Sequence, residues 1–234
     1  MKRCWKPPNA EFQAETLPSI ADVFASCQHV GMNRAIDLRV VELLAARLCH
    51  DLIGPISAIS NGVELMADEE PDFVRDAARL VGDSAKKANR NLQFYRFAYA
   101  FGGGGLVGPA PHLLAAEFFK ETGVECDYQA DARALSLDQQ KLACAMLALA
   151  GEGLPRGGHL VLSAGAAGPE IAANGAGPGP SPELRAALAL AVSTAELTSR
   201  TVGGYFAGLL AEALGRRLFL ADQPGGFRLG TAVL

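Results

Sequence analysis

The sequence predicts an α+β protein in which a helical hairpin precedes an α/β sandwich. The first observation is the uneven placement of helix breakers along the 234 residues. Residues 36–101 hold three Gly and two Pro, whereas residues 102–234 hold 22 Gly and eight Pro. The second is periodicity, because apolar residues of the front part recur every three or four positions. The back part alternates short helical and strand patterns, which is typical of layered α/β folds.

The front part predicts two long helices joined by a short turn. Apolar side chains of the first helix form a seam sustained over about four heptads; they are Leu38, Val41, Ala45, Leu48, Leu52, Pro55, Ile59 and Met66. A second seam runs from Val74 to Tyr95, and Pro71 suits the first turn of that helix. Two helices of this length cannot bury both seams alone, so we expect a homodimer that forms a four-helix bundle.

The back part predicts four helices and four strands. The helices span residues 113–121, 137–149, 182–195 and 203–214, and the strands span residues 124–128, 159–163, 217–221 and 227–233. We interpret the Gly- and Pro-rich stretch 165–182 as a loop. The predicted domains are therefore a poorly ordered extension over 1–35, the hairpin over 36–101, a linker over 102–111 and the sandwich over 112–234.

Composition limits the partners and the location. The net charge is −4 and the pI is about 5.6, so no broad attraction to nucleic acid or to an anionic membrane is expected. The longest uncharged stretch, 97–116, contains five Gly and two Pro and makes a poor membrane span. The five Cys have no paired spacing, and no apolar core follows the basic N-terminus. These features indicate a cytoplasmic protein without disulfides, a zinc site or a secretory signal.

His50 has a specific position on the first helix. At about 100° per residue it points about 160–200° away from the apolar seam, toward water. Gly54 and Ser57 lie one and two turns further on, and their small size leaves room for another protein. Ile53, off the seam, and Arg47, one turn earlier, are further candidates for partner docking. The alternative is that these are ordinary side chains of a solvated helix surface.

The residues from His50 onward resemble the H-box of sensor histidine kinases. The string His-Asp-Leu-Ile-Gly-Pro-Ile-Ser-Ala-Ile over 50–59 has an acidic residue and a Leu after the His, a Pro at +5 and an Ile at +9, as that motif does. The resemblance implies that His50 accepts a phosphoryl group. Asp51 is a second candidate catalytic residue that holds the other imidazole nitrogen or assists deprotonation, with simple solvation as the alternative. Gly54 replaces the Thr or Asn of family members with phosphatase activity, so that activity is not expected.

The back part resembles the ATP-binding domain of the same kinases without its nucleotide ligands. No Asn occurs between residues 137 and 162, where the family holds Mg-ATP with an Asn. Ala173 replaces the Asp that binds adenine in the family. Tyr205 and Phe206 stand in the last Gly-rich loop, where they would intrude on a triphosphate. We therefore expect no bound nucleotide or other cofactor, and no residue grouping has the spacing of metal ligands.

A phospho-accepting hairpin joined to such a degenerate domain resembles the ChpT-type histidine phosphotransferases of alphaproteobacteria. The resemblance covers about residues 36–234. It implies a cytoplasmic homodimer that relays phosphoryl groups from the receiver domain of a CckA-type hybrid histidine kinase to CtrA-type and CpdR-type response regulators. The Mg²⁺ for each transfer is then expected on the partner receiver domain, and no autokinase activity is expected.

Two other functions stay open on the sequence alone. One is an ATP-dependent sensor histidine kinase with divergent nucleotide-binding boxes, which would phosphorylate His50 from ATP. The other is a structural dimer or adaptor whose His50 never carries phosphate. The three differ in one observable property, namely the source of any phosphoryl group found on His50.

Overall fold

The structure, a computed structural model, describes residues 37–67, 70–99, 108–177 and 179–234. The extension predicted over 1–35 lies outside these ranges, as do residues 102–107 of the predicted linker. Within the described ranges a helical hairpin precedes a mixed α/β sandwich. The predicted α+β fold class is therefore confirmed.

The hairpin consists of α1 (Leu38–Leu65) and α2 (Pro71–Tyr99), and both predicted helices are confirmed. α1 begins after Asp37, whose side chain accepts a hydrogen bond of 3.0 Å from the backbone N–H of Arg39. This bond satisfies one of the free donors of the first turn. α2 begins at Pro71 as predicted, because proline lacks the N–H that a first turn leaves unbonded.

Gly62 lets the two helices of the hairpin approach closely near the turn. It is buried, and a Cβ at this position would lie 2.6 Å from Cγ2 of Val81 and 3.3 Å from the carbonyl oxygen of Ala77. No side chain fits in that space, because protein interiors are close-packed. Glycine at this position is thus a packing requirement of the hairpin.

The buried face of α1 differs from the predicted seam at its N-terminal end. Val40 is buried there, whereas Leu38 and Val41 are exposed. The reason is that α1 packs against the back part of the chain as well as against α2, and Val40 joins a cluster with Leu197 and Val202. An apolar strip on α1 consequently stays exposed, and we call it the hairpin strip; its members are Leu38, Val41, Ile56 and Val63.

The sandwich is built on a five-stranded sheet in the order β1-β2-β3-β5-β4, in which β1 is parallel to β2 and the other neighbours are antiparallel. Its elements in chain order are α3 (Pro111–Phe119), β1 (Val124–Tyr128), α4 (Ala130–Arg133), α5 (Leu137–Glu152), β2 (Gly158–Gly165), β3 (Gly168–Asn174), α6 (Pro182–Leu188), a 3₁₀ turn (Thr194–Glu196), α7 (Val202–Ala213), β4 (Arg216–Gln223) and β5 (Gly226–Val233).

α5 is the central helix of the sandwich. Its residues from Lys141 to Ala150 are all buried, because it packs on β2 and β3 and also contacts α2, α3 and α7. The helix begins with a capping box, in which Ser136 accepts a hydrogen bond of 3.3 Å from the backbone N–H of Gln139. The uninterrupted apolar run over 142–150 fits a position enclosed by other elements.

The structure corrects two sequence predictions in the back part. The stretch 165–182, predicted as a loop, contains β3, which lies between β2 and β5 with Ile171 and Ala173 buried. The helix predicted over 182–195 ends at Leu188, because Leu190 has a φ of 55° and leaves the right-handed helical region. The short helix α4 was not predicted at all.

Aromatic side chains join the end of α2 to the sandwich. The ring of Phe94 stacks on that of Phe118 with centroids 4.0 Å apart, and the ring of Tyr99 meets Phe206 edge-on at 5.4 Å. Phe94, Tyr95 and Phe97 at the end of α2 belong to the main core of the sandwich, and Tyr99 packs against it.

A polar contact joins the start of α1 to the same sandwich. The guanidinium of Arg39 donates hydrogen bonds to the carbonyl oxygens of Thr194 (2.9 Å) and Leu197 (3.2 Å). Asp37 accepts a further hydrogen bond from the hydroxyl of Thr194. Two separate groups of contacts, one on each helix, therefore fix the hairpin against the sandwich.

Candidate functional site

His50 projects from the middle of α1 into solvent. Its side chain is 86% exposed, whereas Leu48 before it and Asp51 and Leu52 after it are half-buried. The structure therefore places the imidazole on the side of α1 that helical geometry predicts. Four residues after Asp51, Pro55 lies inside the helix. A proline has no N–H to give to the carbonyl of Asp51, which weakens the helix directly after His50.

Asp51 connects this exposed histidine to the interior of the hairpin. Its side chain is only 28% exposed, and its Oδ1 lies 3.4 Å from Nδ1 of His50. Its other oxygen, Oδ2, accepts a hydrogen bond of 2.7 Å from the hydroxyl of Tyr95 on α2. Asp51 is thus bound by the buried Tyr95 hydroxyl through one carboxylate oxygen, and its other oxygen faces Nδ1 of the exposed imidazole. Nε2 of His50 is then directed away from Asp51.

Tyr95 is a site residue that sequence reasoning missed. The sequence placed it at the end of the apolar seam of α2, and in the structure it is buried there beside the ring of Tyr99. Burial first, and then the hydrogen bond to Asp51, raise the pKa of the Tyr95 hydroxyl above its usual range. A buried tyrosine hydroxyl usually has a hydrogen-bond partner. The position of Tyr95 on the seam of α2 could therefore have indicated a polar partner on α1, such as Asp51.

Arg47, one turn before His50, is engaged at the junction of hairpin and sandwich. Its side chain is 11% exposed and forms an ion pair with Glu152. Its Nη1 lies 3.4 Å from the carbonyl oxygens of Ser199 and of Arg200, to which it donates. The prediction that Arg47 docks a partner stays a prediction, and the side chain would have to leave these groups to do so.

The other predicted docking residues lie on the open side of α1. Ile53, Gly54 and Ser57 are all exposed. A Cβ added at Gly54 would meet no atom within 4 Å. The space beside His50 that the small residues were predicted to leave is therefore present in this chain.

A cleft of about 700 Å³ opens beside this site, between hairpin and sandwich. His50 and Asp51 line it from α1, Lys87 and Arg90 from α2, and Arg200 from the loop before α7. Arg90 forms an ion pair of 2.9 Å with Glu121. The cleft thus gives the histidine a neighbouring surface that mixes basic side chains with the carboxylates of Glu121 and Glu152.

The glycine-rich segments that resemble nucleotide-binding loops are close-packed. A Cβ at Gly203 would lie 3.2 Å from Nη1 of Arg47, and one at Gly204 would lie 2.5 Å from Cδ1 of Leu184. A Cβ at Gly175 would lie 2.7 Å from the carbonyl oxygen of Gly157. These glycines allow protein atoms to approach one another, so protein atoms fill the space directly beside them.

Comparison with known proteins matches the back part of the chain to one family. Residues 112–225 match the model of the histidine phosphotransferase C-terminal domain. Protein phosphotransferase ChpT from Brucella abortus (strain 2308) is 36% identical over 132 residues, which are 55% of this chain and 61% of that protein. The structure of a bacterial phosphotransferase superimposes with a TM-score of 0.71 and 28% identity over 85% of this chain and 98% of that one. The back part of the chain is therefore similar to the C-terminal domain of histidine phosphotransferases.

The match confirms the resemblance to ChpT-type histidine phosphotransferases. The chain spans about three fifths of the Brucella relative, and 98% of the phosphotransferase of known structure. The structure of full-length ShkA in complex with AMPPNP aligns with a TM-score of 0.36 and 17% identity over 82% of this chain and 47% of that one, a likeness too low to argue from. Neither the family model nor the two phosphotransferases favour an ATP-dependent kinase.

Proposed function

We propose that this chain is a histidine phosphotransferase that carries out one step of a two-component phosphorelay. His50 accepts a phosphoryl group from an aspartyl phosphate on a receiver domain and passes it to the aspartate of a second receiver. The observation that carries the proposal is the exposed imidazole of His50 with Asp51 on its Nδ1 side, in a chain whose residues 112–225 match the C-terminal domain of histidine phosphotransferases. A phosphohistidine is the intermediate of this exchange.

The geometry suits an imidazole that attacks through Nε2. With the proton on Nδ1 and directed at Asp51, the lone pair lies on Nε2, which faces solvent. As the N–P bond forms, the P–O bond to the receiver breaks and its electron pair leaves on the aspartate carboxylate. The positive charge that develops on the ring faces the Asp51 carboxylate, which stabilises it. The reverse step returns the electron pair to Nε2.

Phosphoryl transfer requires alignment and charge neutralisation more than covalent assistance from the protein. We propose that the receiver brings the Mg²⁺ that neutralises the phosphoryl oxygens, and that this chain holds no nucleotide or metal of its own. The packing of Gly203 and Gly204 against Arg47 and Leu184 supports the absence of a nucleotide, because protein atoms fill the space beside those glycines.

The partners proposed here follow from the family resemblance and from the surface beside His50. They are the receiver domain of a CckA-type hybrid kinase as donor and CtrA-type and CpdR-type response regulators as acceptors. A receiver that docks over Ile53, Gly54 and Ser57 would also reach the wall of the cleft formed by Arg200. The contact is local, which suits a chain with a net charge of only −4.

We further propose a cytoplasmic homodimer. Among the helices of the described ranges, α1 has the length and composition of a membrane span. Arg39 and Arg47 of that helix, however, are bound to the sandwich through hydrogen bonds and an ion pair. A second hairpin is therefore a better cover for the hairpin strip than lipid, and pairing of two such hairpins forms the predicted four-helix bundle.

The test starts from a receiver domain that already carries labelled phosphate on its aspartate. Label is expected to move to the wild-type chain and to His112→Gln, the matched control at the start of α3, but not to His50→Gln. Transfer to His50→Gln, or transfer to neither wild type nor control from a panel of receivers, would contradict the proposal. Incubation with labelled ATP is expected to leave the wild-type chain unlabelled.

A further inference from the structure

We propose that Tyr95 is a positioning residue for phosphoryl transfer, which acts on His50 through Asp51. This inference rests on the function proposed above and adds a third residue to the site, from the other helix of the hairpin. Tyr95 does not touch the imidazole. Its contribution is to fix the carboxylate that does.

The contacts form a chain from the interior to the surface. The hydroxyl of Tyr95 donates to Oδ2 of Asp51 at 2.7 Å, and Oδ1 of the same carboxylate lies 3.4 Å from Nδ1 of His50. With Oδ2 occupied, the carboxylate cannot turn freely, and Oδ1 remains as the acceptor that faces the imidazole. A hydrogen bond from a second group is the usual way in which a carboxylate is oriented toward a functional histidine.

The ring of Tyr95 is itself fixed, so its hydroxyl is a stable anchor. The residue is 9% exposed, and its ring contacts Phe94, Tyr99 and Phe118 at centroid distances of 6.1, 5.8 and 5.6 Å. Because burial raises the pKa of this hydroxyl, it stays protonated and remains a donor at neutral pH. Asp51 in turn links this cluster to His50.

The expected consequence is control of the imidazole tautomer. A fixed acceptor at Nδ1 favours the tautomer with its proton on Nδ1, which leaves the lone pair on Nε2 for attack. During transfer the N–P bond forms at Nε2, the P–O bond of the donor breaks, and Nδ1 keeps its proton beside Asp51. Without the Tyr95 hydroxyl, Asp51 is free to turn toward water and the correct tautomer is less populated.

Phosphoramidate, a small phosphoryl donor, tests the inference without a receiver. We expect Tyr95→Phe to slow phosphorylation of His50 about tenfold, since hydrogen bonds to charged groups contribute more than neutral ones. Tyr99→Phe is the matched control, because Tyr99 lies in the same cluster and its hydroxyl does not bond to Asp51; it is expected to react at the wild-type rate.

A double-mutant cycle separates positioning from packing. If Tyr95 acts through Asp51, Tyr95→Phe has no further effect in an Asp51→Ala background. A wild-type rate for Tyr95→Phe, or an equal tenfold loss in both backgrounds, would overturn the inference. Thermal unfolding of each variant shows whether its fold is intact.

Nitrogen NMR of the imidazole gives a readout that needs no phosphoryl transfer. The His50 signal, assigned by its loss in His50→Gln, is expected to show the Nδ1–H tautomer in wild type and in Tyr99→Phe, and more of the Nε2–H tautomer in Tyr95→Phe. An unchanged tautomer in Tyr95→Phe overturns the inference. Phosphorylation that persists in His50→Gln would instead refute the proposed function, while the tautomer still reports on Tyr95.

Discussion

The guanidinium of Arg47 on α1 lies against Gly203 in the first turn of α7, with Nη1 3.2 Å from the position that a Cβ of Gly203 would occupy. The same guanidinium binds Glu152 and the carbonyl oxygens of Ser199 and Arg200. The helix that carries His50 is thereby fixed to the loop that leads into α7.

Removal of the Arg47 guanidinium should loosen the junction. Arg47→Met keeps most of the side-chain volume and leaves the carbonyl oxygens of Ser199 and Arg200 without this donor. We expect a loss of about 1–3 kcal/mol in the free energy of unfolding and faster hydrogen exchange over residues 199–204. Arg75→Met is the control, since its exposed ion pair with Asp72 contributes about 0–0.5 kcal/mol. Equal exchange in both variants would contradict this role of Arg47.

Two glycines of α1 should respond oppositely to alanine. Gly62→Ala places a methyl group 2.6 Å from Cγ2 of Val81 and should lower the free energy of unfolding by about 1–3 kcal/mol. In Gly54→Ala the new methyl group has no atom within 4 Å. This variant should raise the free energy of unfolding by up to about 1 kcal/mol, because alanine favours the helix. Urea unfolding of the two variants is the measurement, and a similar loss in both would show that packing at Gly62 is not the cause.

A bulky residue at Gly54 should block protein partners but not small donors. Gly54→Leu fills the open space one turn after His50, where a receiver is proposed to dock. We expect transfer from a phosphorylated receiver to fall at least about tenfold, a typical loss when docking geometry is disturbed. Phosphorylation of His50 by phosphoramidate is expected to be unchanged. If transfer from the receiver and phosphorylation by phosphoramidate slow by the same factor, the substitution disturbs His50 itself, and the docking role of Gly54 is contradicted.

The cysteines should differ in reactivity and in its dependence on pH. Burial, followed by the charge of Asp127, raises the pKa of Cys126 to about 12, and burial raises that of Cys144 further. Because the thiolate is the reactive form, the rate at Cys126 should rise about tenfold per pH unit through pH 7–10 and remain low. Cys49 is exposed. At pH 8 we expect iodoacetamide to modify Cys49 at least about a hundredfold faster than Cys126 or Cys144, as site-resolved mass spectrometry can measure.

A charge in the hairpin strip should dissociate the proposed dimer. Val63→Glu places a carboxylate in the exposed apolar face of α1, where burial against a second copy would leave it unpaired. Asn61→Glu, on an exposed position of the same helix, is the matched control. Sedimentation should show a monomer for Val63→Glu and the wild-type mass for Asn61→Glu. A dimer in both variants would place the interface elsewhere.

Local periodicity was sufficient to predict the two hairpin helices and the exposed position of His50. Their apolar residues repeat at helical spacing over many turns, so the signal is strong and needs no tertiary information. The same periodicity misplaced the buried face near Leu38 and Val41, because the side of α1 that is covered there depends on Leu197 and Val202, about 160 residues later in the chain.

The remaining errors have the same origin. β3 was missed because Gly168 and Pro169 resemble loop residues, and only its pairing with β2 and β5 makes the segment a strand. Tyr95 was missed as a site residue because an apolar seam conceals a hydroxyl, and its partner Asp51 lies on the other helix. Contacts between distant segments determine each of these features, and no single window of sequence contains both partners.

The double attachment of the hairpin, through Arg39 and Arg47 on α1 and through the aromatic side chains of α2, has a kinetic consequence. The sandwich is already bound beside His50, so hairpin and sandwich can present one surface to an incoming protein without first moving relative to each other. We therefore expect the speed of each transfer to be set by encounter with the incoming protein, and to increase in proportion to its concentration until the surface is saturated.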